Sequence, residues 1–103
     1  RAYDRAWARQ VMRSALARLA AEHRAPQQVR LFEALQSTLV DGGRVRGESE
    51  LAAALKMSTG AIAVAATRLR RRYRLMIEDE VRRTLADPSD LEAELRSLWE
   101  AWG

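Results

Sequence analysis

The sequence of 103 residues has no cysteine, two prolines, and only three tryptophans, two tyrosines and one phenylalanine. Without cysteine the chain has no disulfide, no thiolate metal site and no cysteine nucleophile, which fits a reducing cytoplasm. No apolar run approaches the roughly 20 residues of a membrane-spanning helix, and no signal-peptide pattern opens the chain. These absences predict a soluble, cytoplasmic protein with no membrane partner.

Catalytic side chains are also scarce. His23 is the only histidine, so a metal site would have to consist of carboxylates alone. The carboxylates cluster at predicted helix starts or on solvated faces, where they usually serve solubility and compensate helix dipoles. Gly42-Gly43 lacks the spacing and the preceding strand of a phosphate-binding loop. We therefore predict no enzyme, no metal and no cofactor.

Basic charge, in contrast, is abundant and unevenly placed. The net charge is +4 and the pI is about 10.6. Residues 44–83 contain ten basic and five acidic side chains, whereas residues 87–103 contain one basic and five acidic ones. Such a basic segment favours a polyanionic partner.

Apolar residues recur at helical spacing, which predicts an all-α single domain of five helices without strands. Residues 1–40 form a two-helix lead-in, with one helix from Tyr3 to His23 and one that starts near Pro26 and ends before Asp41. Because the chain begins with Arg1 and not Met, we expect a fragment of a longer protein. The apolar stripes are Tyr3, Trp7, Val11, Ala15, Leu16 and Leu19 in the first helix, and Val29, Phe32, Leu35, Gln36 and Leu39 in the second.

Residues 48–86 have the pattern of a helix-turn-helix with an extended second helix. Residues 50–55 predict a short helix, Lys56 and Met57 a tight turn, and Ser58 the N-cap of the next helix. A small core at the crossing of the two helices is predicted from Leu51, Ala52, Leu55, Met57 and Ile62.

The second helix is predicted to run from Thr59 to Leu85, a length of about 40 Å. Its inward stripe is Ile62, Ala66, Leu69, Tyr73 and Met76. Five guanidinium groups lie within seven residues: Arg68, Arg70, Arg71, Arg72 and Arg74. A helix with a small, polar first turn and an arginine-rich body suits a DNA major groove flanked by phosphates. The alternative is that the arginines only solvate an exposed face, as most charge runs do.

Residues 87–103 predict a fifth helix that starts at an Asp87 N-cap, with Pro88 in its first turn. Its apolar face is Leu91, Leu95, Leu98 and Trp102, with Trp99 beside them. We expect the two tryptophans to cover the long helix, although two indoles near a terminus also suit a partner surface. The acidic charge of this segment leads to a further hypothesis, that it folds over the arginines and limits DNA access.

The order of these parts resembles region 4, the C-terminal domain, of bacterial RNA polymerase sigma factors of the extracytoplasmic-function type. The resemblance lies in the helix-turn-helix ELAAALKMSTGAIAV and the run TRLRRRYR, and its most specific parts are the DRAWA opening, the MSTGAI turn and RLRRRYR. A helix-turn-helix alone is shared with many regulators. The stretches YDRAWARQVMRSALARL and LFEALQ, with the tail ADPSDLEAELRSLW, are similar to a sub-family with an extended C-terminus. The resemblance covers nearly the whole chain.

This resemblance implies a nucleoid-associated protein that recognises promoter DNA in transcription initiation. The long helix would read the minus-35 element, and the first helices would dock on the β flap of the RNA polymerase core. An anti-sigma or other regulatory protein is a further expected partner. The candidate DNA-binding residues are Arg44, Arg46, Lys56, Ser58, Thr59, Gly60, Ala63, Val64, Thr67, Arg68, Arg71 and Arg72.

The chain departs from the family at two places. Ala63, Val64 and Ala65 stand where related sigma factors often have Arg or Lys, Ser and Arg, so they offer bases only methyl groups, which could touch thymine. Phosphate contacts and DNA shape would then supply much of the selectivity. Lys56 replaces a glycine common in the turn, so its backbone either avoids positive φ or is strained. Two alternatives are an independent helix-turn-helix regulator that dimerises through its C-terminal helix, and a protein-interaction module with reduced DNA binding.

Overall fold

Five α-helices account for most of the chain that the computed structural model describes, which is residues 5–41, 47–84 and 87–102. They are α1 (Arg5–Ala21), α2 (Pro26–Asp41), α3 (Glu48–Leu55), α4 (Thr59–Thr84) and α5 (Leu91–Trp102), with a 3-10 turn (Pro88–Asp90) before α5. These described ranges contain no strand. The prediction of an all-α fold with five helices is confirmed.

Helix α4 is the centre of the fold, because each of the other four helices packs against it. It has 26 residues and is about 39 Å long. Its whole predicted stripe is buried, and Ile77 and Val81 extend that stripe by a further turn. The other helices complete the core with Ala8, Val11, Ala15, Leu19, Phe32, Leu35, Leu39, Ala52, Leu55 and Leu98.

Three helix boundaries before α4 differ from the prediction. Helix α2 includes Asp41, one residue beyond its expected end. Helix α1 ends at Ala21, two residues before His23, because the backbone N–H groups of Glu22 and His23 bond to carbonyls three residues back, at 3.1 Å each. Such bonds tighten the last turn and stop the α-helix. Helix α3 begins at Glu48, two residues earlier than expected, directly after Gly47 with its left-handed backbone at φ 62°.

The predicted apolar stripe of α2 is wrong at two positions. Val29 is 36% exposed, because the first turn of α2 lies largely in solvent, and Gln36 is exposed further along the helix. Thr38 is buried instead, at 4% exposure. A threonine is tolerated there because its hydroxyl donates to the Leu35 carbonyl oxygen at 2.7 Å, so no polar group is left unsatisfied.

The start of the last helix also differs in detail. The Asp87 carboxylate accepts a hydrogen bond from the Ser89 backbone N–H at 3.0 Å, and the hydrogen bonds from Ser89 lower the pKa of Asp87. Asp87 therefore caps the 3-10 turn, and α5 starts only at Leu91. Leu98 is fully buried and anchors α5 to the core, whereas Trp99 is half-buried. Tyr3 and Leu85 lie outside the described residues, and the side chain of Trp102 is not among those described.

Candidate nucleic-acid interface

The turn between α3 and α4 is fixed by a left-handed lysine. Lys56 has φ 56° and ψ 45°, so the strained option foreseen for this position is the one that the chain adopts. The Met57 N–H bonds to the Ala52 carbonyl at 2.9 Å, and the Lys56 N–H bonds to the Ala53 carbonyl at 3.3 Å. This is the Schellman pattern that ends a helix, usually with glycine at the left-handed position.

Helix α2 supports the same turn from outside. The Gln27 side-chain amide donates to the Leu55 carbonyl oxygen at 3.1 Å, which satisfies an acceptor that the end of α3 leaves open. Helices α2 and α3 are thereby joined by a polar contact as well as by their packing. These bonds hold the end of α3, directly before α4, against α2.

Ser58 is the N-cap of α4, as the sequence predicts. Its Oγ accepts a hydrogen bond from the Ala61 N–H at 3.0 Å. Thr59 and Gly60, in the first turn, are exposed. A side chain at Gly60 would meet only Ser58 Oγ, at 3.9 Å, so the space beside this turn is open. Backbone N–H groups at such an exposed, positive helix end are suited to phosphate.

The N-terminal half of α4 has one continuous exposed side, which we call the outer strip. All of its side chains are exposed, and Val64 keeps 49% of its surface in solvent. A shallow hollow of about 260 Å³ lies within the strip and is lined by Ala63, Val64, Thr67, Arg68 and Arg71. The strip consists of Gly60, Ala63, Val64, Thr67, Arg68 and Arg71.

The five arginines of residues 68–74 fall into three groups. Arg68 and Arg71 have no carboxylate within ion-pair distance among the described residues. Arg70 donates to Thr67 Oγ1 at 3.4 Å, and the guanidinium of Arg74 lies over the Trp99 ring, 4.7 Å from its centroid. Within the described part of the chain, Arg72 is the one of these five that is paired with an acid.

Arg72 is bound to Glu22, which follows the end of α1. Its Nε donates to Glu22 Oε1 at 3.1 Å, and its Nη2 donates to Oε2 at 2.5 Å. These hydrogen bonds lower the pKa of Glu22 and raise the pKa of Arg72. The charge of this predicted DNA contact is therefore already compensated within the protein.

A second charged cluster lies further along α4. Arg18 of α1 binds Asp79 at 2.8 Å and Glu80 at 3.2 Å, and Asp79 is also 3.2 Å from Arg83 and 3.7 Å from Arg82. The hydrogen bond from Arg18 lowers the pKa of Asp79. The acidic and basic side chains at this end of α4 therefore neutralise each other. The positive charge of α4 that has no acidic partner among the described residues is concentrated in the N-terminal half of the helix.

Two further hollows flank α4. One of about 330 Å³ is lined by Leu39, Tyr73, Ile77 and Trp99 together with arginines 70, 71 and 74 and Thr67. Another of about 470 Å³ lies among α1, α2 and α4. Its lining is Leu19, Glu22, His23, Gln28, Leu31, Phe32, Leu35, Ala65, Arg68, Leu69 and Arg72.

The structure brings most predicted site residues onto one side of the molecule. Residues 58–60 and the outer strip are continuous along α4, and Lys56 is exposed at the turn before them. Arg44 and Arg46 lie outside the described residues. Sequence patterns gave no sign of Glu22, Gln27 or Gly47, because their roles depend on contacts between distant segments or on a local backbone angle.

From its sequence, the acidic C-terminal segment is expected to cover the arginines through its carboxylates. The contact that the structure shows is made by an aromatic ring instead. Helix α5 packs beside α4, and Arg74 meets Trp99 through a cation–π contact. The carboxylates that pair with arginines of α4 in the described ranges are Glu22 and Asp79.

None of the helices in the described ranges combines the length and the hydrophobicity that crossing a membrane requires. The same residues include no group of three or more histidine or carboxylate side chains placed to hold a metal ion. No protein-family model, no curated protein and no solved structure matches this chain.

Proposed function

We propose that the chain is the promoter-binding and polymerase-docking domain of a bacterial sigma factor, which acts on the nucleoid in the cytoplasm. The N-terminal half of α4 enters the major groove at the minus-35 element. The observation that supports this most directly is the outer strip, in which an exposed helix start leads to two arginines, Arg68 and Arg71, without described acidic partners. A helix face with small side chains fits into a major groove, and guanidinium groups without acidic partners beside it can bind the phosphates on both sides of that groove.

The helix start supplies the next contacts. The Ser58 hydroxyl accepts from Ala61, so its own proton is available to a phosphate oxygen. The N–H groups of Thr59 and Gly60 stand at the positive end of the α4 dipole. Lys56 adds a cation just before them. Arg72, bound to Glu22, contributes less to this surface than Arg68 and Arg71.

Selection from a random duplex DNA pool at two salt concentrations tests the proposal. The Arg68→Ala, Arg71→Ala variant should lose the enriched motif. The plot of log affinity against log salt should become shallower, with the magnitude of its slope lower by about two. The matched control is Arg9→Ala, Arg13→Ala, which removes the same charge from exposed positions on α1. Equal losses in both variants would show that net charge alone binds the DNA.

The hollow among α1, α2 and α4 supports the docking half of the proposal. Leu31 and Phe32 line it, so it offers an apolar surface to the β flap of the polymerase, and Arg68 lies at the border between this hollow and the outer strip. Leu31→Glu should weaken binding to an isolated β-flap segment. Val29→Glu places the same charge on the same helix outside the hollow and should leave flap binding unchanged.

The two alternatives predict different results in the same assays. An independent regulator would sediment as a dimer and select a palindromic motif. A protein-interaction module would bind the flap and select no DNA at either salt. An anti-sigma or other regulatory protein is a further proposed partner of the sigma-factor domain, and it would compete with polymerase or with DNA.

A further inference from the structure

The hollow in the outer strip is lined by both apolar and positively charged side chains. Ala63, Val64 and Thr67 supply its apolar lining, and Arg68 and Arg71 supply its charge. Val64 is 49% exposed, which makes it one of three large hydrophobic side chains left exposed in the described part of the chain. Exposing a valine to water is unfavourable, so a face that presents it gains free energy when an apolar group covers it.

Hydrogen bonding to bases is poor at this hollow. Alanine and valine have no polar side-chain atoms, and the Thr67 hydroxyl donates its proton to the Ala63 carbonyl at 3.1 Å. The same hydroxyl oxygen accepts from Arg70 at 3.4 Å. What the three residues present to a partner is therefore chiefly methyl groups.

The two arginines that line the hollow have the opposite character. Arg68 and Arg71 carry positive charges that no described carboxylate neutralises. Their partner must place anionic groups on the flanks of an apolar group. Duplex DNA has this arrangement, because the thymine 5-methyl group is the apolar feature of the major-groove edges and phosphates border the groove on both sides.

We propose that the hollow formed by Ala63, Val64 and Thr67 receives thymine 5-methyl groups, while Arg68 and Arg71 hold the flanking phosphates. This inference rests on the proposed function and specifies the chemistry of its base readout. Selectivity then comes from methyl contacts instead of bidentate hydrogen bonds. A site read in this way contains thymine on one or both strands opposite the hollow.

Uracil differs from thymine only by that methyl group, so exchanging the two tests the inference directly. Affinity is measured for a selected duplex and for versions in which one thymine at a time is replaced by deoxyuridine. Loss of one buried methyl group should weaken binding about fourfold at one or two adjacent positions. The other positions should change little.

The variant Val64→Ala connects the effect to the hollow. It should reduce the thymine-to-uracil ratio at the sensitive positions toward one. The matched control is Leu75→Ala, which shortens another exposed apolar side chain of α4, 55% exposed and outside the hollow, and should keep the full ratio.

The remaining outcomes are decisive and separate the two proposals. If the protein selects a motif but uracil never changes its affinity, the methyl readout is wrong and the proposed DNA-binding function stands. Salt-dependent binding without any motif also overturns the methyl readout, since no base edge is then read. If no duplex binds at either salt, both the readout and the DNA-binding function are wrong.

Discussion

The guanidinium of Arg72 lies against the carboxylate of Glu22, with two hydrogen bonds of 2.5 and 3.1 Å between residues fifty positions apart in the chain. The pair joins α4 to the end of α1, next to the outer strip. The pair also distinguishes Arg72 from its neighbours. Arg72 is bound to an acid, whereas the charges of Arg68 and Arg71 are available to bind a partner.

Removing the carboxylate should release Arg72 to the DNA. We expect Glu22→Gln to raise affinity for duplex DNA and to steepen the salt dependence by up to about 0.9, the increment of one more phosphate contact. The control is Glu33→Gln, which makes the same charge change at an exposed position of α2. If both variants gain equally, net charge accounts for the result and the pair has no specific role.

The same pair makes stability depend on pH. The hydrogen bonds from Arg72 hold the pKa of Glu22 below the ordinary value of 4.5. The pair therefore contributes fully to the free energy of unfolding above pH 4.5, and this contribution is lost as the pH falls through the lower pKa of the folded state. We therefore expect Glu22→Gln to lower the Tm at neutral pH, and the difference from the unmodified protein to shrink as the pH falls below 4.5. A difference that persists unchanged in acid would contradict this account.

Periodicity in the sequence predicts the centre of this fold well. Ile62, Ala66, Leu69, Tyr73 and Met76 are all buried, because a helix that is covered along its length must show its core face every three or four residues. The N-cap at Ser58 follows from equally local chemistry.

What the sequence does not predict depends on tertiary contacts. Val29 fits the apolar spacing of α2 but is 36% exposed, so spacing alone does not show which apolar positions another helix covers. The partners in Glu22–Arg72 and Arg18–Asp79 are fifty and sixty-one residues apart, so no local pattern connects them. For the candidate site, the sequence indicates which side of α4 is outward, whereas the pairing that compensates Arg72 comes only from the packing of α1.

The left-handed turn predicts a stabilising substitution. Lys56 carries a side chain at φ 56°, where glycine has no steric penalty. Lys56→Gly should be about 1 kcal/mol more stable than Lys56→Ala, which keeps Cβ and likewise removes the ammonium group. In thermal unfolding this corresponds to a Tm roughly 4 to 8 °C higher. Equal Tm values would mean that the backbone relaxes away from the left-handed angle.

The N-cap can be separated from its role in DNA binding. Ser58→Ala removes the acceptor for the Ala61 N–H and should cost about 1 kcal/mol of folding free energy. Ser58→Asp keeps an acceptor and adds a negative charge at the positive end of α4, so its Tm should stay close to that of the unmodified protein. The same carboxylate should repel phosphate and weaken DNA binding. If Ser58→Asp binds DNA normally, the start of α4 does not face the backbone of the duplex.

The last helix is expected to act first as part of the core. Leu98 is fully buried, so Leu98→Ala should lose about 2 to 5 kcal/mol of the free energy of unfolding, whereas Leu75→Ala, at 55% exposure, should change it by less than about 0.5 kcal/mol. Chemical denaturation measures both.

Deleting residues 87–103 would remove Leu98 as well, so loss of DNA binding in that fragment would reflect unfolding. Trp99→Ala is the better test of whether α5 limits DNA access, because it removes the surface under Arg74 while Leu98 stays in place. Higher DNA affinity in Trp99→Ala would show that α5 restrains the arginines; unchanged or lower affinity would leave α5 with a structural role alone.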